Sequence, residues 1–140
     1  MSPIKYQTRD FKAFDSAAHR LPSGRKLHQS PIEEFNFREL RCYAQIKDLP
    51  RLNASLGTLG GGNHFIEIDE AADGTKYLVI HSGSRNLGKQ VAEYYQNLAV
   101  ELNRNSGIPE DLCHLSGKYL NDYLHDVNVC QRFALRNREI

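Results

Sequence analysis

The 140-residue chain has no run of about 18 apolar residues, so nothing in it has the length a membrane-crossing helix needs. Its first residues, MSPIKYQTRDFKAF, lack the apolar core of a secretory signal. Paired cysteines are missing too. Cys42, Cys113 and Cys130 are odd in number and show no CxxC spacing. They read as reduced thiols of a cytosol-like compartment, and a cytoplasmic protein is expected. Charge of one sign is not in excess: 18 basic against 17 acidic residues leave +1. That total neither requires nor excludes a nucleic-acid partner, because a local patch decides it. There is no internal repeat, no low-complexity tract and no GK[ST] of a P-loop.

What is present is a chain of single-domain size, large enough for a core of modest burial. Residues 1–29 are polar, rich in Arg, Lys and His, and hold the turn signal Leu21-Pro22-Ser23-Gly24; they are expected to be irregular. In SPIEEFNFRELRCYAQI, Ser30 can cap a helix, Pro31 suits its first position and Glu33 completes a capping box. This predicts a helix over about 31–47, stopped by Pro50. Alternation predicts strands at 64–68 and 76–80, joined through Ala72-Asp73-Gly74 as a hairpin. A helix over about 88–104 follows, with apolar Val91, Tyr94 or Tyr95, Leu98 and Leu102. Pro109-Glu110-Asp111 opens a short helix. The last segment repeats Leu120, Leu124, Val127, Cys130 and Phe133 or Ala134 at helical spacing up to Ile140 without a stop signal. An excised middle of a longer protein is the expectation, with a frayed terminal helix as the competing explanation.

Three stretches carry chemistry. In GTLGGGNHFIEI, the glycines at 60–62 allow positive φ and close backbone approach. On a regular strand Asn63, Phe65 and Glu67 share one face, and His64, Ile66 and Ile68 the other. An amide, a ring and a carboxylate suit a flat heteroaromatic, with Glu67 accepting from adjacent N–H donors such as those of guanine. The plainer alternative is a half-exposed strand with Phe65 packed and Glu67 solvated. His64 does not stand alone, since His81 lies at the exit of the next strand. Neutral imidazoles at paired strand ends are ordinary ligands of first-row metals, though two do not fill a coordination sphere. Ser82-Gly83-Ser84-Arg85-Asn86-Leu87-Gly88 offers hydroxyls, free N–H groups and a guanidinium before a helix. It reads as a phosphate site, or as a capped loop with a surface arginine.

SLGTLGGGNHFIEI followed by VIHSGSRNLGKQV resembles the RtcB family of RNA ligases, and LPSGRKLH and YLNDYL…FALRNREI match family segments in order. The resemblance covers roughly residues 20–140. It implies an α+β fold with a mixed sheet and packed helices, the whole chain being part of one larger ligase domain. It implies joining of RNA ends bearing a 2′,3′-cyclic phosphate or 3′-phosphate to 5′-hydroxyl ends through a guanylylated histidine, with GTP and Mn²⁺. His64 and His81 match family metal ligands, Asn63, Phe65 and Glu67 match residues around the guanylate, and Arg85 matches an arginine near the reacting phosphates. For Asn63 and His64 to serve one site, the backbone at 61–63 must bend or the strand must begin after His64.

The family's acidic and cysteine metal ligands have no counterpart before residue 57. Its third histidine ligand, guanylylated histidine and late lysine have no counterpart up to Ile140 either. Asn86 stands where glycine is common, and asparagine tolerates left-handed backbone. The expected partners are RNA, a guanine nucleotide and the remainder of the ligase chain, with no membrane. A non-catalytic homologue that binds metal, nucleotide or RNA is the alternative, and a two-histidine metallohydrolase lacks a local carboxylate ligand.

Overall fold

The alternation at residues 64–68 and 76–80 is realised as a hairpin in the computed structural model, which describes residues 4–5 and 11–140. Strands β2 (Phe65–Glu70) and β3 (Lys76–His81) run antiparallel, with Phe65 opposite His81 and Glu70 opposite Lys76. The turn closes as its residues dictate. The Ala71 N–H donates to the Thr75 carbonyl at 2.9 Å, and Asp73 Oδ1 accepts from the Thr75 N–H at 2.9 Å. A short strand, β1 (Ile4–Lys5), pairs antiparallel with the other edge of β3, giving the order β1-β3-β2. A single parallel bridge joins Ser23 to Gly60 beside this sheet. The class is α+β.

The first 29 residues are not irregular throughout. Residues 1–3 and 6–10 lie outside the described residues, and Phe11–Arg20 form helix α1. The hairpin supplies the reason. Ile66, Leu78 and Ile80 share its inner face, and an apolar sheet face must be covered by another element. Phe14, Ala18 and Leu21 turn toward it, leaving a cavity of about 400 Å³ between the two layers.

The predicted helix over 31–47 does not form. The segment is extended apart from two single 3₁₀ turns, Phe37–Glu39 and Tyr43–Gln45. Its helix signals are spent elsewhere. Glu33, the expected capping-box residue, makes a bidentate pair with Arg136, at 2.6 and 2.7 Å. The Phe35 N–H donates to Asn53 Oδ1 at 3.0 Å, and the N–H groups of Arg41 and Cys42 donate to Asp126. Acceptors from distant elements satisfy the backbone, so a local helix gains nothing there. Extension also lets Phe35 and Phe37 both reach Phe133, with ring centroids 5.0 and 5.8 Å away. Pro50 does not stop a helix. It sits in the first turn of α2 (Leu49–Ala54), which Asp48 caps by accepting from the Arg51 N–H at 3.3 Å.

Helix α3 (Arg85–Leu102) buries Leu87, Val91, Tyr95 and Ala99, while Leu102 is exposed. Helix α4 (Gly117–Glu139) packs across it. Its buried stripe is Asp126, Val129, Cys130, Phe133 and Asn137. Leu120 and Leu124 are 38 % and 54 % exposed, and of the apolar residues at helical spacing only Cys130 and Phe133 are buried. Two polar residues belong to the core face, so a purely apolar pattern selects a rotated stripe.

Asp126 is the reason the core closes where it does. Fully buried, it accepts from the Arg41 N–H at 2.7 Å, the Cys42 N–H at 3.0 Å and the Tyr95 hydroxyl at 2.8 Å. Burial, aided by Asp126, pushes the Cys42 thiol up to about 12 and the Cys130 thiol up to about 11. Both thiols ionise near 9.0 when unfolded, so the folded state favours their protonated forms. Stability from these thiols is therefore complete below pH 9 and is lost as pH rises from 9 through 11 and 12. The urea midpoint is expected to fall over that range. It should fall less in the Cys42→Ala/Cys130→Ala double variant; equal slopes would show that the thiols do not contribute.

Candidate active site

The glycine run turns the chain before the strand begins. Gly60 and Gly62 have φ of +94° and +75°, and β2 starts only at Phe65. His64 is thereby released from strand alternation and leans toward His81. The two rings are 6.0 Å apart, centroid to centroid, at 34°. Phe65 stacks on His81 at 5.3 Å and 10°.

Gly60 shows why these positions need glycine. A Cβ there would lie 2.0 Å from Arg85 Nη1 and 2.6 Å from His64 Nδ1. The guanidinium and the imidazole thus meet over a backbone that has no side chain. Leu21-Pro22-Ser23-Gly24 clamps this stretch from below, with the Leu59 N–H donating to the Pro22 carbonyl at 3.0 Å and the Gly24 N–H to the Gly60 carbonyl at 2.8 Å.

Arg85 opens α3 in the left-handed region, with φ of +52°. The left-handed position falls on Arg85 and not on Asn86. Such strain in a non-glycine residue persists where the surroundings over-determine it. Here the Nε of Arg85 donates to Thr58 Oγ1 at 3.2 Å. Burial lowers the Arg85 pKa from its ordinary value, yet arginine remains cationic at neutral pH. Among the described residues no carboxylate pairs with it.

The loop that carries Arg85 is held by a residue the sequence reading missed. Asn137, buried in the last turn of α4, accepts from the N–H groups of Gly57 at 2.9 Å and Thr58 at 3.2 Å. Its Nδ2 donates to the Thr58 carbonyl at 3.2 Å and to Ser82 Oγ at 2.9 Å. Ser82 Oγ in turn donates to the Leu59 carbonyl at 2.8 Å, and Arg138 donates to the Ser82 carbonyl at 3.0 Å. One amide therefore ties the glycine loop to the Ser82–Ser84 loop. Arg25, Lys47 and Arg51 were missed as well. They gather around a cleft of about 150 Å³ beside Arg85, with Asp48 as its one carboxylate. With Arg85 they come from three segments, so no single stretch shows the patch.

The structure brings His64, His81 and Arg85 together. Asn63, Phe65 and Glu67 are exposed, Phe65 at 39 %. Among the described residues no group of three His, Cys, Asp or Glu side chains converges to hold a metal ion. His64 Nδ1 is nevertheless buried with no hydrogen-bond partner. A buried imidazole nitrogen left unpaired, beside a second imidazole, fits two donors of a divalent first-row metal site. The other histidines are engaged elsewhere or open: His28 Nε2 lies 3.1 Å from the Gly57 carbonyl and His125 Nε2 2.9 Å from the Glu39 carbonyl, while His19 and His114 are exposed. Among the described residues, no helix is long and apolar enough to cross a membrane.

Comparison with known proteins places this arrangement. The family model described as tRNA-splicing ligase RtcB matches residues 16–140. The RNA-splicing ligase RtcB of Escherichia coli K12 is 38 % identical over 89 residues, covering 60 % of this chain and 22 % of that protein. The tRNA-splicing ligase RtcB of Thermococcus kodakarensis is 38 % identical over 68 residues, covering 39 % of this chain and 14 % of the relative. That of Pyrobaculum aerophilum is 34 % identical over 105 residues, covering 61 % and 22 %. The chain thus spans about a fifth of the length of such relatives. A match across nearly the whole chain, on the motifs that build the His64–Arg85 meeting point, shows that it belongs to the RtcB family of RNA ligases.

Proposed function

We propose that this chain is part of an RtcB-type RNA ligase. Such a ligase would join an RNA 3′-phosphate or 2′,3′-cyclic phosphate to a 5′-hydroxyl end, with GTP and Mn²⁺, in RNA repair or tRNA splicing. The observation that carries the reading is the meeting of Arg85 and His64 over Gly60. A half-buried guanidinium that no carboxylate among the described residues neutralises is a receptor for an anion, and its planar fork matches a phosphate. On this reading Arg85 orients the RNA phosphate, and Thr58 holds the guanidinium in place through its hydroxyl.

His64 and His81 would hold Mn²⁺, which when bound supplies positive charge to the phosphate oxygens. Asn63, Phe65 and Glu67 would contact the guanine nucleotide: the open ring face of Phe65 can stack a base, and the Glu67 carboxylate can accept from guanine N–H groups. The remaining metal donors and the histidine that carries guanylate would come from polypeptide outside these 140 residues, so the chain's partner would be the rest of such a ligase. A second reading, a non-catalytic homologue that only binds metal, nucleotide or RNA, is favoured for the isolated chain by the lack of a third donor among the described residues.

Two experiments separate the readings. Purified chain incubated with radiolabelled GTP, Mn²⁺ and RNA carrying both ends is expected to show neither protein labelling nor joined RNA. Transplanted in place of the matching segment of the E. coli relative, the same residues are expected to support GTP-dependent joining, and Arg85→Ala in that chimera to abolish it. A chimera that folds, by near-UV circular dichroism, and joins no RNA would overturn the ligase reading.

A further inference from the structure

Helix α2 separates two clefts. Arg51 and Ser55 sit on one face and line the cleft beside Arg85. Leu49 and Asn53 sit on the opposite face, since residues four apart share a side while those two apart do not. They line a second cleft of about 370 Å³, together with Phe35, Asn36, Arg38 and Tyr43. That volume lies in the range of small-molecule sites, roughly 300–1,000 Å³. We propose that this second cleft takes one unpaired nucleobase of the RNA strand whose phosphate lies at Arg85. The proposal rests on the RNA-ligase reading and names where the strand runs.

The walls suit a base. Phe35 and Tyr43 are half-buried aromatic rings. The Phe35 ring is fixed, edge-on, against Phe133 at 5.0 Å and 86°. The same lining holds two amides, each with one end engaged by the protein. Asn53 Oδ1 accepts the Phe35 N–H at 3.0 Å, which leaves its Nδ2 as a donor with no partner among the described residues. Asn36 Nδ2 donates to Glu39 Oε1 at 3.3 Å, which leaves its Oδ1 as an acceptor. A fixed donor and a fixed acceptor beside ring faces complement the edge and the plane of a nucleobase. Arg38 is exposed and pairs with no carboxylate among the described residues, so a backbone phosphate can neutralise it. Glu34 at the rim is the one opposing charge in the lining.

The spacing is compatible with one strand. Crossing a helix is a path of about 10–12 Å, which a few nucleotides of unpaired strand can span. Stacking accepts any base, so the cleft reads position along the strand and not sequence.

The test is an abasic scan on the 140-residue chain. Fluorescein-labelled oligoadenylate RNAs, each with one abasic site moved stepwise from the end, are titrated by anisotropy. One position is expected to weaken binding about tenfold, the scale of a lost base–aromatic stack. Tyr43→Leu should bind intact RNA about tenfold more weakly, with an unchanged salt slope, and should no longer respond at that position. Should Tyr43→Leu fail to fold, Asn36→Ala at an exposed position replaces it, with an expected loss of about fivefold, the scale of one hydrogen bond. If wild type binds RNA and Arg85→Ala lowers the salt slope, but no abasic position matters and the cleft variants bind normally, the cleft inference fails and the RNA reading stands. If wild-type chain shows no salt-dependent RNA binding, the RNA reading itself fails and takes this inference with it.

Discussion

Asp126→Ala is expected to cost about 3–5 kcal/mol of folding stability. The carboxylate is fully buried and accepts three hydrogen bonds, two from backbone N–H groups and one from a phenol. Truncation removes the shared acceptor and leaves two buried donors and the part-buried Arg41 N–H without partners, each paying its desolvation cost. A total of this size is a large share of the roughly 5–15 kcal/mol that holds a natural domain together. The variant should therefore be largely unfolded or aggregated when expressed. Asp126→Asn keeps the shape and an acceptor oxygen but turns an amide N–H toward a donor, so an intermediate loss is expected. Urea denaturation followed by far-UV circular dichroism reads both. A loss below about 1 kcal/mol for the alanine variant would show that water or a rearranged segment replaces the carboxylate.

Gly60→Ala is expected to leave the fold largely intact and to disable the site. Forcing a non-glycine residue into the left-handed region costs about 1–2 kcal/mol. The added methyl also meets Arg85 Nη1 and His64 Nδ1 at distances no real contact allows. Both are ends of side chains that can move, so the fold survives while the guanidinium and imidazole are displaced. A displacement near 1 Å costs on the order of a hundredfold in rate. Gly62→Ala is the internal control: Gly62 has φ of +75°, but a Cβ there meets nothing within 4 Å. In the ligase chimera, Gly60→Ala should slow RNA joining about a hundredfold, and Gly62→Ala should lose stability without that loss of rate. Equal effects on joining would mean that backbone strain alone explains the need for glycine, and that the meeting of Arg85 with His64 is incidental.

Much of the site was legible because its signals are local. Turn residues at Ala72–Gly74, alternation on both sides and the family-specific glycine run set the hairpin and place His64 near His81. The helix expected over about 88–104, from apolar Val91, Tyr94 or Tyr95, Leu98 and Leu102, forms as Arg85–Leu102. The guanine-facing roles of Asn63, Phe65 and Glu67 rest on resemblance: their side chains are exposed, and strand alternation alone says only that Phe65 and Glu67 face the same way. The basic cleft around Arg25, Lys47 and Arg51 could not be read from any stretch, because its members are brought together only by folding.

By itself the sequence determined the hairpin, the long helices, the His–Arg loop and the family, since each depends on neighbours within a few residues. Tertiary structure decided three other things. It kept 31–47 extended, because Asp126 and Asn53 offer its backbone N–H groups better-placed acceptors than a helix would. It rotated the buried face of α4 toward Asp126 and Asn137, because loop donors needed polar partners inside the core. And it drove Arg85 into the left-handed region, where Thr58 can hold its guanidinium over Gly60. In each case a buried polar group found its partner across the fold, and hydrogen-bond satisfaction at that range leaves no periodic trace in the chain.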